Sequence, residues 1–454
     1  MTIIIASLLA ISTHPSVYQR QADAALAQGS YQAASDLYQK ASLGYAAKGD
    51  PNAAVILRER SLRYGTTIRW FVRRPVEGAS GPLAVHEPVA GCYLGANIER
   101  EEATHDPQAF NNLVQKHHAM FFRYRAYSVA FPKREAEYLG HAKSGMQIAF
   151  EPSSLAKVRD NDYLRRFALD CRNSGIPIFL RFASEFNGLW TPYHADPEAY
   201  KAAFRTVAGV MHRTASNVAM VWCPNEIPQE PIDRYYPGQT AVDWVGVNFY
   251  SVIYNDADRS RGAEWRWPTD QIDYVYRKYS GRHPIMVGEW AATHLSSVDH
   301  VERPDFAIRK IRQFYAVAPL LYPRLKAINW LSFNALKYAR GDRQLNNYSL
   351  YDSDPVASAY AAEVHRDWYV DRVGGNAIYR WVELGPKEKP KTGDHIAIYF
   401  RSYDPAARLT VKADDKTIST DGGEAVTEFD APDATRWEAT LNDSKGKPAG
   451  RSNR

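Results

Sequence analysis

The chain has 454 residues, which corresponds to two to four domains at about 100–200 residues each. Hydrophobic residues make up 45% of it and charged residues 24%, a balance that excludes a disordered, collagen-like or coiled-coil chain. The net charge of +5 is not gathered into a basic run, so we expect no nucleic-acid partner. The three cysteines are too few for a disulfide framework and too far apart for a zinc or redox motif.

Residues 1–14 contain the apolar stretch Ile3–Ile11, which is far shorter than the roughly 20 residues that span a bilayer. The stretch resembles the apolar part of a secretory signal, although no basic residues precede it. Two interpretations therefore remain, a partial signal or an apolar helix. No other segment is long and apolar enough to span a membrane, so we expect a soluble bacterial protein that is secreted or periplasmic.

Residues 15–68 show the spacing of amphipathic helices. Apolar and small residues recur three or four positions apart, which marks one buried helix face: Tyr31, Ala34, Leu37, Tyr38 and Ala41. Asp50-Pro51 then begins a further helix, since proline is favoured in a first turn. Residues 29–41 resemble the second helix of a tetratricopeptide repeat, but about one and a half repeats are too few for a solenoid. We favour a three-helix cap on the next domain over a surface that binds a protein partner.

The region after a Pro- and Gly-rich connector at 69–89 alternates apolar runs with helical stretches. The apolar runs are Gly91–Ile98, Met120–Ala126, Met146–Phe150, Pro177–Ala183, Asn217–Trp222, Val242–Tyr250, Pro284–Trp290 and Leu325–Phe333. Alternation of strands and helices implies a parallel sheet with right-handed crossovers, and eight such units match a closed barrel. We therefore predict an α/β fold, a (β/α)8 TIM barrel at 90–371, with an N-terminal helical segment and a small C-terminal β domain.

In such a barrel, catalytic groups lie where the strands end. Glu185 follows the fourth apolar run and Glu289 lies near the end of the seventh. Three strand–helix units separate them, so their carboxyl groups are expected to face each other across the barrel mouth. A retaining glycosidase requires such a pair, in which one group protonates the leaving oxygen and the other attacks the sugar carbon. The matching positions favour catalysis over two structural ion pairs.

Further polar and aromatic residues near the strand ends are candidates for substrate binding: Arg181, Ser184, Trp190, Tyr193, Trp222, Asn225, Asn248, Tyr250 and Trp330. A tryptophan at a strand end offers a flat apolar face to a sugar ring. For Trp330 we favour this role, whereas for Trp222 substrate binding and core packing are equally compatible with the sequence. Glu151 directly follows the third run and is expected to bind substrate or to form an ion pair.

Four motifs resemble glycoside hydrolase family 26 in their order and spacing: R-F-A-S-E-F-N-G-L-W-T-P-Y, V-W-C-P-N, Y-Y-P-G-Q-T-A-V-D-W-V-G-V-N-F-Y and P-I-M-V-G-E-W. The resemblance covers roughly residues 90–370. It implies a retaining, endo-acting enzyme on a (β/α)8 barrel, by default a β-mannanase. It also implies roles for single residues: Glu185 as general acid/base, Glu289 as nucleophile, Tyr250 as a hydrogen-bond donor to the nucleophile, Trp330 as the platform under the reacting sugar and Trp190 as the aromatic residue after the acid/base.

The sequence departs from that family at two positions. Mannanases of the family usually carry His immediately before the acid/base, where this chain has Ser184, and Asp where it has Asn248. Because both positions would line the subsite of the reacting sugar, we expect plain β-1,4-mannan to be a poor substrate and a bacterial exopolysaccharide or another β-glycan to replace it. Two alternatives to hydrolysis remain: a transglycosylase, and a catalytically weak protein that binds polysaccharide or scaffolds an exopolysaccharide system. The intact Glu pair favours an enzyme over the scaffold.

No pattern in the sequence indicates a metal or another cofactor. His105, His117 and His118 have no carboxylate at ligand spacing, and the adjacent pair points in different directions, so structural or solvated roles are favoured. A glycine-rich phosphate loop and a G-x-S-x-G elbow are also missing from the strand ends. The expected partner is therefore a polysaccharide or oligosaccharide, bound by a monomer without a cofactor.

The composition changes from Gly374 onward. Alternating apolar and polar residues with turns such as Gly393-Asp394 predict a small antiparallel β domain at 374–442. We favour an accessory domain docked on the barrel over an independent sugar-binding module, because exposed aromatic candidates are few. Residues 443–454 are polar, and we expect a tail without regular structure.

Overall fold

A computed structural model describes residues 14–79, 81–98, 106–422 and 425–454. The apolar stretch Ile3–Ile11 and His105 lie outside these residues. The described residues fall into two compact units, one from Phe71 to Glu383 and one that joins the residues up to Trp70 with Leu384–Arg454. Within the described ranges, none of the helices combines the length and the apolar character needed to cross a bilayer.

The predicted helical segment consists of α1 (Pro15–Ala27), α2 (Tyr31–Ala47) and α3 (Pro51–Tyr64). The face expected from the spacing is buried, since Ala34, Tyr38 and Ala41 are inaccessible to solvent and pack with Leu57 of α3. The Asp50 side chain accepts a hydrogen bond from the Ala53 amide at 3.0 Å. This satisfies one of the free N–H groups at the start of α3.

The predicted connector at 69–89 begins as a strand, β1 (Thr67–Pro75). The next strands are β2 (Cys92–Asn97), β3 (Met120–Ala126), β4 (Gly145–Glu151), β5 (Ile178–Phe182), β6 (Val218–Trp222), β7 (Trp244–Asn248), β8 (Ile285–Trp290), β9 (Leu295–Ser296), β10 (Leu325–Leu331), β11 (Asn346–Asn347) and β12 (Tyr369–Val370). Strands β2 to β8 and β10 each pair in parallel with their neighbours, and β10 also pairs in parallel with β2. The eight strands of this described region therefore close into the barrel that the sequence predicted.

Helices lie between the barrel strands: α4 (Pro107–Val114), α5 (Lys133–His141), α6 (Asp162–Ser174), α7 (Pro197–Thr214), α8 (Pro268–Tyr279), α9 (Pro304–Tyr315) and α10 (Ala318–Leu321). Two more follow the last barrel strand, β10: α11 (Ala335–Tyr338) and α12 (Asp354–Val364). The connection after β6 contains only two short 3-10 turns, at Ile232–Tyr235 and Gln239–Ala241. This agrees with the irregular unit expected there, because Pro231 and Pro237 interrupt any longer helix.

The barrel interior is apolar towards one end and polar beneath the mouth. Side chains such as Met120, Phe179 and Met286 form a fully buried cluster. Two buried side-chain amides lie on the polar side of this cluster. Gln147 donates to the Gly288 carbonyl at 3.1 Å, and Asn329 donates to the Val287 carbonyl at 2.9 Å. These bonds hold the backbone of β8 at Val287 and Gly288, just before Glu289.

The remaining strands are β13 (Tyr379–Glu383), β14 (His395–Arg401), β15 (Arg408–Ala413), β16 (Lys416–Gly422), β17 (Val426–Asp430), β18 (Trp437–Asn442) and β19 (Pro448–Asn453). Strand β13 pairs antiparallel with residues 71–75 of β1 and so belongs to the barrel unit. The residues from Leu384 onward form one compact unit with the N-terminal helices.

The C-terminal residues differ from the unstructured tail expected at 443–454. Strand β19 pairs antiparallel with β18 over Glu438–Asn442. A turn precedes it, in which the Asp443 carboxylate accepts the amides of Lys445 at 2.9 Å and Lys447 at 2.8 Å. The segment is polar because it is an edge strand with mostly accessible side chains, and its backbone is satisfied by the ladder.

Candidate active site

Glu185 lies on an unusual turn that directly follows β5. Both Ala183 and Glu185 adopt left-handed backbone conformations, with φ of 47° and 57°. This conformation is unfavourable for residues with a Cβ atom and persists only where the surroundings enforce it. The Glu185 amide donates to the Cys223 carbonyl at 2.8 Å, and its carbonyl accepts from Gly188 at 2.8 Å. The turn aims a partly exposed carboxyl group at the barrel mouth.

Neutral groups hold the carboxyl group of Glu185. Its Oε1 accepts hydrogen bonds from Asn248 Nδ2 at 2.8 Å and from Asn225 Nδ2 at 3.2 Å. Its Oε2 accepts from the indole nitrogen of Trp190 at 2.6 Å. Trp190 as a residue remains 52% exposed. Gly188 permits this arrangement, because a Cβ atom there would collide with the Trp190 ring.

Glu289 is held in a different way. It lies on β8, is 5% exposed, and forms an ion pair with the fully buried Arg181 through Oε1. Its Oε2 accepts a hydrogen bond from the Tyr250 hydroxyl at 2.5 Å. Burial and the negative charge of Glu289 raise the pKa of Tyr250 well above its usual value, so this hydroxyl keeps its proton and donates. Burial alone would lower the pKa of Arg181, but the charge of Glu289, together with Cys223, Tyr124 and Glu151, outweighs this effect and raises that pKa.

Asn248 connects the two carboxylates. Its Oδ1 accepts from Arg181 Nη1 at 3.0 Å, while its Nδ2 donates to Glu185. Gly288 leaves the space for this contact, since a Cβ atom there would lie 2.6 Å from Asn248 Oδ1 and 2.8 Å from Arg181 Nη1. A chain of polar contacts therefore runs from Glu289 through Arg181 and Asn248 to Glu185.

Ser184 and Tyr193 contact Glu151. The Ser184 hydroxyl donates to Glu151 Oε1 at 2.5 Å, and the Tyr193 hydroxyl donates to Oε2 at 2.5 Å. Burial raises the pKa of Glu151, although hydrogen bonds from Ser184 and Tyr193 act in the opposite direction. Both predicted binding residues therefore have their hydroxyl groups directed to this third carboxylate.

The structure does not bring Trp222 and Trp330 to the mouth. Both are fully buried. The ring of Trp330 lies 5.3 Å from those of Trp290 and Tyr360, and the ring of Trp222 lies 5.0 Å from that of Phe186. Side chains alternate between the two faces of a barrel strand, and these two positions face the surrounding layer rather than the interior. Neither ring is available to a sugar in this structure.

Two residues near the pair were missed by the sequence analysis. Tyr124 lies two residues before the end of the second barrel strand, β3. Although 44% of the residue is accessible, desolvation of its hydroxyl and the charge of Glu289 raise its pKa well above the usual value. Asn187 donates to the carbonyls of Asn225 and Pro228, both at 2.8 Å, and so joins the loops after β5 and β6. The position of Tyr124 near a strand end was an available signal, whereas the Asn187 contacts depend on a distant loop.

Of the three histidines considered as metal ligands, the two that the structure describes, His117 and His118, have structural partners. His118 is fully buried, and its ring nitrogens lie 3.0 Å from Asn111 Oδ1 and 2.9 Å from the Tyr360 hydroxyl. His117 contacts the carbonyls of Asp371 and Ala142. Among the described residues, no cluster of His, Cys, Asp and Glu side chains has the arrangement of a metal site.

Comparison with known proteins places this mouth in a family context. Residues 154–263 match the model of glycosyl hydrolase family 26, which confirms the resemblance found in the motifs. The matched segment includes Glu185, Asn248 and Tyr250, whereas Glu289 lies beyond it.

Three similar proteins illustrate the extent of the likeness. A β-1,3-xylanase of a Vibrio species is 32% identical over 97 residues, which is 20% of this chain and 20% of that protein. Endoglucanase H of Acetivibrio thermocellus is 24% identical over 227 residues, 45% of this chain and 25% of the relative. The structure of a modular endo-β-1,4-mannanase from Cellulomonas fimi aligns with a TM-score of 0.45 at 11% identity, covering 82% of this chain and 98% of that one. The two curated relatives are thus matched over only a fifth to a quarter of their length.

Proposed function

We propose that this protein is a retaining glycoside hydrolase that cleaves within a β-linked polysaccharide, with Glu185 as general acid/base and Glu289 as nucleophile. The observation that carries the proposal is the different environment of two carboxyl groups joined through one network. Glu289 is buried against the Arg181 guanidinium, whereas Glu185 is partly exposed and contacts only neutral donors. Double displacement requires this division between a charged nucleophile and a group that exchanges a proton.

In the first step, the Glu289 carboxylate attacks the anomeric carbon of the sugar while Glu185 transfers its proton to the leaving oxygen. The bond between that carbon and the leaving oxygen breaks, and a covalent glycosyl-enzyme forms. Arg181 and the Tyr250 hydroxyl each hold one oxygen of Glu289, which fixes the direction of attack. Because these contacts exist before substrate binds, the nucleophile needs little reorganisation.

In the second step, Glu185 accepts a proton from water, and the resulting hydroxide attacks the same carbon and releases Glu289. Configuration at that carbon is retained after two inversions. The three neutral donors around Glu185 supply hydrogen bonds without a fixed counter-charge. The ring of the half-exposed Trp190, bonded to the same carboxyl group, supplies an apolar face beside the leaving group.

For the substrate, we propose a β-linked glycan other than plain β-1,4-mannan, with β-1,3-xylan as the first candidate. The Ser184 hydroxyl donates to Glu151, and the Asn248 amide contacts Arg181 and Glu185. Neither side chain therefore replaces the His or Asp that mannanases of the family offer to a sugar hydroxyl. Relatives named β-1,3-xylanase match over 97 residues, which supports testing that glycan first.

The test is incubation of the full chain with purified β-1,3-xylan, β-1,4-mannan, β-glucans, β-galactan and bacterial exopolysaccharides. Release of reducing ends identifies the substrate, and NMR of the first product gives the configuration of its new anomeric centre. A β-anomer that appears before mutarotation supports retention, and an α-anomer contradicts it. Binding of a polysaccharide without any cleavage would favour the scaffold alternative.

A further inference from the structure

Glu151, the last residue of β4, contacts both ends of the loop that carries the acid/base Glu185. Its Oε1 accepts from the Ser184 hydroxyl at 2.5 Å and from the Ser184 amide at 3.4 Å. Its Oε2 accepts from the Tyr193 hydroxyl at 2.5 Å. Ser184 directly precedes Glu185, and Tyr193 lies beyond Trp190 on the same loop. One carboxylate therefore closes the segment 184–193 that carries the acid/base.

The loop needs such an anchor. Left-handed conformations at Ala183 and Glu185 are unfavourable for residues with a Cβ atom, and only surrounding contacts keep them populated. The Ala183 amide is held by the Phe150 carbonyl at 3.1 Å, and the Glu185 amide by Cys223 at 2.8 Å. Ser184 lies between these two and has Glu151 as its partner. Without Glu151, Ser184, which directly precedes Glu185, loses the acceptor of both its amide and its hydroxyl group.

We propose that Glu151 is a positioning residue, which holds the loop 184–193 so that the carboxyl group of Glu185 meets the leaving oxygen. The proposal rests on the function proposed above, and it assigns Glu151 no part in bond making. Each of its oxygens already accepts a short hydrogen bond from the loop. Direct binding of a sugar hydroxyl is the competing role, and it would change KM rather than the need for leaving-group protonation.

The first experiment compares leaving groups in Glu151→Gln. Cleavage of the polysaccharide requires a proton from Glu185, whereas a dinitrophenyl glycoside of the same sugar leaves without one. We expect kcat/KM on the polysaccharide to fall about 10–100-fold, the effect of weakened hydrogen bonds to a charged group. On the dinitrophenyl glycoside, kcat/KM reports only the first step and should change less than about threefold. Glu137→Gln, on the exposed side of α5, is the matched control and should leave both values unchanged.

An equal loss on both substrates would overturn the proposal, because a general structural defect also impairs the nucleophile. A rise in KM with unchanged kcat on both would overturn it in favour of direct sugar binding. Tyr193→Phe removes a single hydroxyl and is the milder variant in case Glu151→Gln does not fold. We expect it to show the same dependence on the leaving group, with a smaller loss.

The second experiment does not depend on activity. Hydrogen exchange measured by mass spectrometry should accelerate in peptides from 183–193 of Glu151→Gln, while peptides from β8 keep their wild-type rate. Unchanged exchange in 183–193 would overturn the proposal. If the wild-type chain cleaves no glycan but the variant loosens this loop, the function proposed above fails and the anchoring role of Glu151 is retained.

Discussion

Asn248 Nδ2 lies 2.8 Å from Glu185 Oε1, while the other end of the same amide accepts from Arg181, the partner of Glu289. An aspartate at this position has no N–H to donate. It would set a second carboxylate against Glu185 in place of a hydrogen bond. The amide therefore lets one side chain satisfy a cation on one side and a carboxyl group on the other.

The first prediction concerns Asn248→Asp. We expect kcat/KM to fall about 10–100-fold, because a hydrogen bond to a charged group contributes about 1.5–3 kcal/mol. The added negative charge should also move the basic limb of the pH–rate profile upward. Asn248→Ala is the control, since it removes the bond without adding charge. A profile that shifts equally in both variants would contradict this role of the charge.

The second prediction separates the two glutamates. In Glu289→Ala, activity should fall at least about 10³-fold, and azide should restore cleavage of a dinitrophenyl glycoside with formation of the α-glycosyl azide. In Glu185→Ala, azide should instead give the β-glycosyl azide, because the covalent intermediate still forms. The anomeric configuration of each azide is read by NMR. Exchanged configurations would reverse the assigned roles.

The third prediction distinguishes a buried from an accessible tryptophan. Trp330→Ala should reduce the free energy of unfolding by about 3–5 kcal/mol, since it opens a cavity between Trp290 and Tyr360. Trp190→Ala should leave stability nearly unchanged and lower kcat/KM, because the residue is 52% exposed and its N–H bonds Glu185. Urea unfolding and steady-state kinetics measure the two effects. A raised KM in a Trp330→Ala protein of unchanged stability would instead show that Trp330 binds substrate.

The barrel was predictable because its signal is local and repeated. Each barrel strand except β6 is a short apolar run followed by a helical stretch, and the closing pair of β10 and β2 follows from the number of units. The positions of Glu185 and Glu289 at strand ends were predictable for the same reason. The face on which Trp222 and Trp330 lie was not, because a shift of one residue along a strand moves a side chain to the opposite side.

Contacts between residues far apart in the chain could not be predicted from the sequence either. Ser184 meets Glu151 and Asn248 meets Glu185 only after separate strands are placed side by side. The same limit applies to the second unit, in which Trp70 donates to Ser452 at 3.0 Å across almost the whole chain. Neither composition nor periodicity reports such pairs, and β19 was missed because an edge strand needs no apolar pattern.

The last prediction concerns the dependence of stability on pH. Burial lowers the pKa of His118 to about 3, far below the value near 6.5 in an unfolded chain. The unfolded state therefore binds an extra proton between these two values, so the stabilising contribution is complete above about pH 6.5 and is lost as pH falls. From pH 7 to pH 5 the free energy of unfolding should drop by about 2 kcal/mol through this residue alone.

In His118→Gln, which retains polar atoms towards Asn111 and Tyr360, that part of the drop should vanish. Urea unfolding of both proteins at pH 7 and pH 5 measures the difference, and equal drops would show that His118 takes up its proton in the folded protein.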